Sequence, residues 1–309
     1  MYGIGTGTSL ERFDGVHLKR YLVSGNNEKL KRVNAIAETE NNQIWMGNGM
    51  GLWRVNHEKR ELDAIAAETI KCGVRSLLSD GKGALYIGSE AGLFIYRKGQ
   101  LEHVLSAANI INGLSFGENG ILWMATSSGL YSLELENRKI VPYYFIVEDK
   151  HIYSYTNIAR IGSVIYLGTM GQGIVCFDTR THKFNSYSDV GCNVISSLSC
   201  DGKDLLYVGT DGNGVHFIST KQDKVVRSFQ HEVGKGGSLR SNSVYSLLVD
   251  RDGLIWVGFY QLGLDYTLYQ SELFHTYSYP PYFDTKDMPV RTITFRGSEK
   301  LIGSRDGLY

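Results

Sequence analysis

"LIWVGFYQLGLDY" at residues 254–266 rewrites a phrase already present as "QIWMGNGMGLWRV" at 43–55 and "ALYIGSEAGLFIY" at 84–96. The phrase runs aliphatic, aromatic, aliphatic, small residue, and then, four or five positions on, a glycine followed by an aliphatic. It returns as "ILWMATSSGLYSL" (121–133), "VIYLGTMGQGIVCF" (164–177), "LLYVGTDGNGVHFI" (205–218) and "KLIGSRDGLY" (300–309), and a worn copy, "YGIGTGTSLERF", starts at Tyr2. The small residues Gly5, Gly47, Gly88, Ala125, Gly168, Gly209, Gly258 and Gly303 mark a period of about 43 residues. Self-similarity at 20–50 residues signals a repeat architecture.

Before most copies stands a second apolar run: "VNAIAE" from Val33, "VRSLLSD" from Val74, "VISSLSC" from Val194, "VYSLLVD" from Val244 and "VRTITF" from Val290. Its alternation predicts a strand. Between the two runs lie "DGKG" (80–83), "GENG" (117–120), "CDGKD" (200–204) and "DRDG" (250–253), whose Gly, Asn and Asp suit tight turns. The later glycine of the phrase then marks a second turn into a third strand, and a more polar fourth follows, such as "KFNSYS" at 183–188. Four short antiparallel strands per repeat of this length predict an all-β protein, a β-propeller, since helical repeats would need a 3.6-residue period. The recurrent ring (Trp45, Tyr86, Trp123, Tyr166, Tyr207, Trp256) is expected to pack between neighbouring blades. Each buried ring removes roughly 150–250 Å² from water, a driving force for stacking blade on blade.

Eight copies, partial at both ends, predict seven blades over residues 1–289, with 290–309 a partial repeat that closes the ring or starts a second propeller; eight blades in one ring is the alternative. The Pro-bearing stretch "YSYPPYFDTKDMP" (277–289) suits a crossing between propellers or a long interblade loop.

The chain has 309 residues, 42% hydrophobic, with 32 basic and 32 acidic side chains. This balance leaves no electrostatic footprint for nucleic acid or an anionic membrane. No apolar run approaches the 18 or so residues of a membrane helix. "GIGTGTS" (3–9) lacks the lysine of a phosphate loop and the third glycine of a dinucleotide fingerprint. "DGNG" (211–214) and "DRDG" (250–253) are not followed by the acidic ligands of a calcium loop, and the eight His show no zinc spacing, so neither metal nor cofactor is expected. The sequence also lacks the Asp-box of sialidase propellers and the G-H…W-D pattern of WD repeats. Cys72, Cys176, Cys192 and Cys200 suggest no bridge and are read as free thiols in packed strands.

"SNSVYSLLVDRDGLIWVGFYQLGLDY" (241–266) resembles the regulator-propeller repeat of the sensor region of bacterial hybrid two-component systems, and the other copies resemble it more weakly. The resemblance implies a periplasmic, non-enzymatic sensor region of an inner-membrane protein. It would read carbohydrate breakdown products and control polysaccharide-utilisation genes. Its implied partners are an oligosaccharide, neighbouring sensor domains of the same polypeptide and a second copy of the chain. Kinase motifs, a membrane helix and a signal segment are absent from the sequence, so it reads as a fragment of such a protein. A propeller lyase of the streptogramin-cleaving type, with similar short blades, is the enzymatic alternative, and a purely structural propeller the third reading.

With the first strand innermost, the loops entering it and the turns between second and third strands would share one face. That face is expected to carry Arg32 and Asn34, Arg75, Asn112, Tyr155 and Asn157, Asn193, Asn242 and Tyr245, and Arg291, with Phe259 and Tyr260 on the most divergent turn. Amide and guanidinium groups can bond vicinal hydroxyls, and rings can stack on a sugar. The same groups could instead pair with neighbouring loops or carbonyls.

Overall fold

The computed structural model describes residues 2–7, 10–13, 18–23, 33–40, 42–66, 69–106, 109–147, 150–152, 154–187, 190–250, 253–259, 262–269, 275–277, 290–296, 299–304 and 306–308. Every regular element among them is a strand, and no helix occurs. Six four-stranded blades follow in chain order, each with its strands joined in sequence order. Blade 1 comprises Val33–Glu38, Ile44–Asn48, Gly51–Asn56 and Glu61–Ile65, and blade 2 Val74–Ser79, Ala84–Ser89, Gly92–Arg97 and Gln100–Ser106. Blade 3 is Ile111–Phe116, Ile121–Thr126, Gly129–Glu134 and Ile140–Tyr143; blade 4 is Tyr155–Ile161, Val164–Thr169, Ile174–Asp178 and Lys183–Tyr187. Blade 5 is Ile195–Cys200, Leu205–Thr210, Val215–Ser219 and Lys224–Phe229; blade 6 is Val244–Val249, Leu254–Phe259, Leu264–Leu268 and His275–Tyr277. Four strands per blade agree with the expectation, and the hairpin Phe145–Val147 with Lys150–Ile152 is an addition between blades 3 and 4.

The repeat count predicts seven blades; the described strands form six. The first and last copies of the phrase are the reason. Neither comes with a full set of four strands, and the two lie side by side: Tyr2–Gly7 runs parallel to Glu299–Ser304, with Gly3 opposite Leu301 and Ile4 opposite Ile302. Both therefore enter one sheet with Val290–Arg296, Asp306–Leu308, Leu10–Phe13 and Leu18–Val23. That sheet meets blade 1 through a short parallel pairing of Leu22 with Glu61 and Val23 with Leu62.

The chain divides into two compact units, Met1–Ile111 with Gly258–Leu264 and Ser278–Tyr309, and Asn112–Val257 with Asp265–Tyr277. In the first, Ala37, Trp45 and Leu52 of blade 1 share a core with Val74, Leu85, Ile87 and Phe94 of blade 2. Leu10 and Tyr21 of the terminal sheet pack with Ile44, Met46 and Trp53. In the second, Trp123 and Leu130 of blade 3 meet Tyr155, Leu167 and Phe177 of blade 4, and Tyr166 and Ile174 of blade 4 share a core with Ile195, Leu206 and Val208 of blade 5. Ring pairs cross the same seams, Trp45 to Tyr96 at 4.8 Å and Trp123 to Phe177 at 5.5 Å. The expected interblade role of the recurrent ring thus holds at these seams.

The small residue of the phrase has its own cause. A Cβ added at Gly47 would stand 2.3 Å from Val74 Cγ1; at Gly88, 2.8 Å from Ile111 Cγ2; at Gly168, 2.9 Å from Ile195 Cγ2; at Gly209, 2.8 Å from Val244 Cγ1. In each case the apolar residue opening the next blade occupies the space a side chain would need.

Candidate functional site

The first strands of blades 1, 2, 4 and 5, and Val290–Arg296 of the terminal sheet, open with an irregularity. Their pairing with the following strand skips one residue: between Val33 and Ala35, Val74 and Ser76, Tyr155 and Asn157, Ile195 and Ser197, and Val290 and Thr292. The skipped residues are Asn34, Arg75, Thr156, Ser196 and Arg291. A bulge leaves its residue outside the ladder and re-aims its side chain. Two of these side chains reach the next blade: Asn34 Nδ2 donates to Val74 O at 2.8 Å and Thr156 Oγ1 to Ile195 O at 2.9 Å. Asn112, second in its own strand, does the same with Tyr155 O at 2.9 Å.

This accounts for much of the predicted set. Asn112 and Tyr155 are brought into direct contact, through the Tyr155 carbonyl, while the Tyr155 ring is fully buried and burial drives its phenol far above the ordinary range. Asn157 Nδ2 donates to Ser196 O at 2.9 Å and to Thr156 Oγ1 at 3.1 Å, a second link from blade 4 to blade 5. Arg75 turns instead to Glu90 on the turn of its own blade, with Nε 3.0 Å from Oε1. Burial alone would raise the Glu90 carboxyl, but the Arg75 hydrogen bond, the Gly73 N–H and the Arg75 charge outweigh it and hold it below its ordinary value. Phe259 is fully buried and presents no surface, and Tyr245 is half-buried. Arg32, Tyr260 and the side chain of Arg291 lie outside the described residues.

Asn193 and Asn242 occupy equivalent places before blades 5 and 6, and each clamps the turn between the second and third strands of the preceding blade. The Asn193 carbonyl accepts from Gly171 N at 2.8 Å and Gly173 N at 2.9 Å, and the Asn242 carbonyl from Gly212 N and Gly214 N at 2.9 Å each. The turns are held from within by threonines: Thr169 Oγ1 donates to Gly173 O at 2.8 Å and Thr210 Oγ1 to Gly214 O at 2.9 Å. Gly214 has φ +76°, and a Cβ there would meet Phe229 O at 2.2 Å, so both conformation and space require glycine. Around these turns stand groups that sequence reasoning did not single out: the exposed Met170, and Asp211, bonded to Ser243. Their signal was the "GTMGQG"/"GTDGNG" pair, two turns one residue longer than "GSEAG". The turns of blades 4 and 5 offer amides, hydroxyls and carbonyls, and blade 2 by itself offers the Arg75–Glu90 pair. Among the described residues no three His, Cys, Asp or Glu side chains gather to hold a metal, and the four cysteines are free.

The motif copy at 241–266 explains itself. Asp250 is buried; its Oδ1 accepts Leu254 N at 2.8 Å and its Oδ2 the Trp256 indole N–H at 3.1 Å. One carboxylate therefore closes the turn and aims the ring, which stacks on Tyr266 at 4.8 Å. Residues 238–261 match the family model described as two component regulator propeller. This stretch is similar to a regulator-propeller repeat. No curated protein matches the sequence. Among solved structures, the WD40 β-propeller domain of Doa1 superposes with TM-score 0.68 at 11% identity, covering 99% of this chain and 95% of that one. The computationally designed Ika8 protein gives 0.66 at 13% identity, covering 98% and 90%. The extracellular domain assigned to a one component system of B. thetaiotaomicron gives 0.46 at 19% identity, covering 97% of this chain and 50% of that one. The fold is that of a β-propeller, and the stretch matching the family model runs into its sixth blade. No helix among the described residues is long and apolar enough to cross a membrane.

Proposed function

We propose that this chain is the ligand-sensing propeller of a two-component regulator, periplasmic in the full-length protein, which binds an oligosaccharide or relays its binding to neighbouring domains and so controls polysaccharide utilisation. The observation that carries the reading is the regulator-propeller repeat at 238–261 in a chain written throughout in the same phrase. The groups around the bulges and turns of blades 3 to 5 suit a neutral, hydroxyl-rich ligand: amide and hydroxyl donors and carbonyl acceptors. Since many of these bonds run between blades, a ligand that exchanges them for its own alters interblade contacts, and coupling of about 1–3 kcal/mol suffices for signalling.

Calorimetry of the chain against plant and host glycan oligosaccharides tests this. Saturable binding without product formation is expected, weakened by Asn157→Ala, which removes a side-chain amide. Turnover of a candidate would point to the lyase alternative. Absence of binding together with concentration-dependent dimerisation would leave a structural role.

A further inference from the structure

The second residue after the later glycine of the phrase is a ring in blades 1 to 3, Trp53, Phe94 and Tyr131; in blade 5 the same register holds His216. His216 is buried, 4% exposed, and both ring nitrogens are used: Nδ1 lies 2.8 Å from Ser228 Oγ and Nε2 2.9 Å from Asn213 O. Because a carbonyl can only accept, Nε2 carries the proton and Nδ1 accepts the serine hydroxyl, so the neutral imidazole is fully satisfied. Asn213 is the pivot of the Thr210–Gly214 turn. Its Nδ2 donates to Val190 O at 2.6 Å on the segment entering blade 5, and its Oδ1 accepts from Gln230 Nε2 at 2.6 Å. The neighbouring Gly212 and Gly214 amides bind Asn242 O before blade 6.

We infer that His216 is a proton-operated latch on this turn: neutral, it locks Asn213 in place, and protonated, it releases the turn and the two segments tied to it. A second proton on Nδ1 would turn Ser228 from donor to acceptor and leave a buried cation. A buried cation without a counter-charge is costly and favours an open conformation in which it meets water. The titratable and charged groups on the turn and the segments tied to it are Asp211 on the turn, Cys192 before blade 5, Arg227 on the fourth strand, and His231 and Glu232 beyond it. None of these enters the causes of the His216 shift, which is downward from 6.5, driven by burial and only partly countered by the Asn213 carbonyl. Asp211 is engaged with Ser243, and Arg227 lies over the Phe229 and Tyr269 rings.

The sign follows from linkage. A histidine whose folded value is depressed favours the closed state above its open-state value near 6.5 and loses that advantage as pH falls, the opening constant rising by at most about tenfold per pH unit between the two values. NMR of the full chain would follow the His216 ring protons and the exchange of the Gly212 and Gly214 amides from pH 7.5 to 5. The expected result is a His216 midpoint below 6.5 and loss of amide protection, corrected for intrinsic exchange, that tracks it. His216→Phe, which restores the ring of blades 1 to 3, should abolish the pH dependence, whereas His231→Asn should leave it intact. Equal loss of protection in wild type and His216→Phe overturns the proposal. If that variant does not fold, wild type still decides: a ring that titrates while both amides keep their protection sinks the latch.

Discussion

Asp250 accepts two bonds, from the Leu254 amide and from the Trp256 indole, in a buried place. Asp250→Ala strands both donors, and orphaning a buried donor costs about 1–3 kcal/mol. Urea unfolding followed by tryptophan fluorescence should show the loss, with Asp250→Asn recovering part of it; an unchanged midpoint would mean that water serves the indole equally well. A second residue makes the same point for reactivity. The Cys176 thiol is pushed up to about 12, by burial first and the Asp223 charge second. The thiolate is the reactive form, so at pH 8 the native Cys176 side chain is held in its unreactive thiol form. Mass spectrometry after iodoacetamide treatment should find Cys176 unlabelled in the native protein and labelled in urea. At this scale the sequence was informative about which residues recur, Trp256 among them. It was silent on Asp250 as the partner of the ring, because the turn reading of "DRDG" already accounted for an aspartate there.

The bulge that opens the first strands of blades 1, 2, 4 and 5 is written in the sequence. In a regular strand apolar positions recur every two residues, yet here they are three apart: Val33 to Ile36, Val74 to Leu77, Ile195 to Leu198. The extra residue breaks the alternation and directs Asn34 or Thr156 at a neighbouring blade's carbonyl, so Asn34, expected as a ligand donor, is an interblade tie. What stays illegible is the identity of the acceptor, a backbone oxygen about 40 positions away. The glycine opposite is more predictable. Gly209 faces Val244 Cγ1 so closely that Gly209→Ala overpacks the seam between blades 5 and 6, an error that costs about 1–3 kcal/mol. The double variant Gly209→Ala with Val244→Ala should regain part of that loss. If both single changes simply add, the close approach is not the reason for the glycine.

Eight copies, partial at both ends, predict seven blades when the first copy is given a blade of its own, whereas its strand pairs with the last copy through contacts across nearly the whole chain length. Six blades and a shared terminal sheet result. Acid should act on the whole molecule through its turns. The Asp178 and Asp204 carboxyls are held low chiefly by the Arg180 and Lys221 amides, and at Asp201 three amides outweigh the burial that would raise it. Depressed carboxylates stabilise the fold above their ordinary value of 3.8 and lose that contribution as pH falls through the lower folded values, so urea midpoints should drop below about pH 4, each exposed group adding only a fraction. The terminal sheet offers a sharper test. Tyr2–Gly7 pairs with Glu299–Ser304 in parallel and with Asp306–Leu308 antiparallel, Gly5 opposite Leu308 and Thr6 opposite Gly307. A chain ending at residue 289 loses both partners and gains a bare strand edge, a template for association with other chains. Its melting temperature should fall, by about 2–4 °C for each kcal/mol lost, and hydrogen exchange should rise in Tyr2–Gly7 and Leu10–Phe13 while blades 4 and 5 stay protected. Unaltered exchange in Tyr2–Gly7 would show that the last copy of the phrase does not hold the first in place.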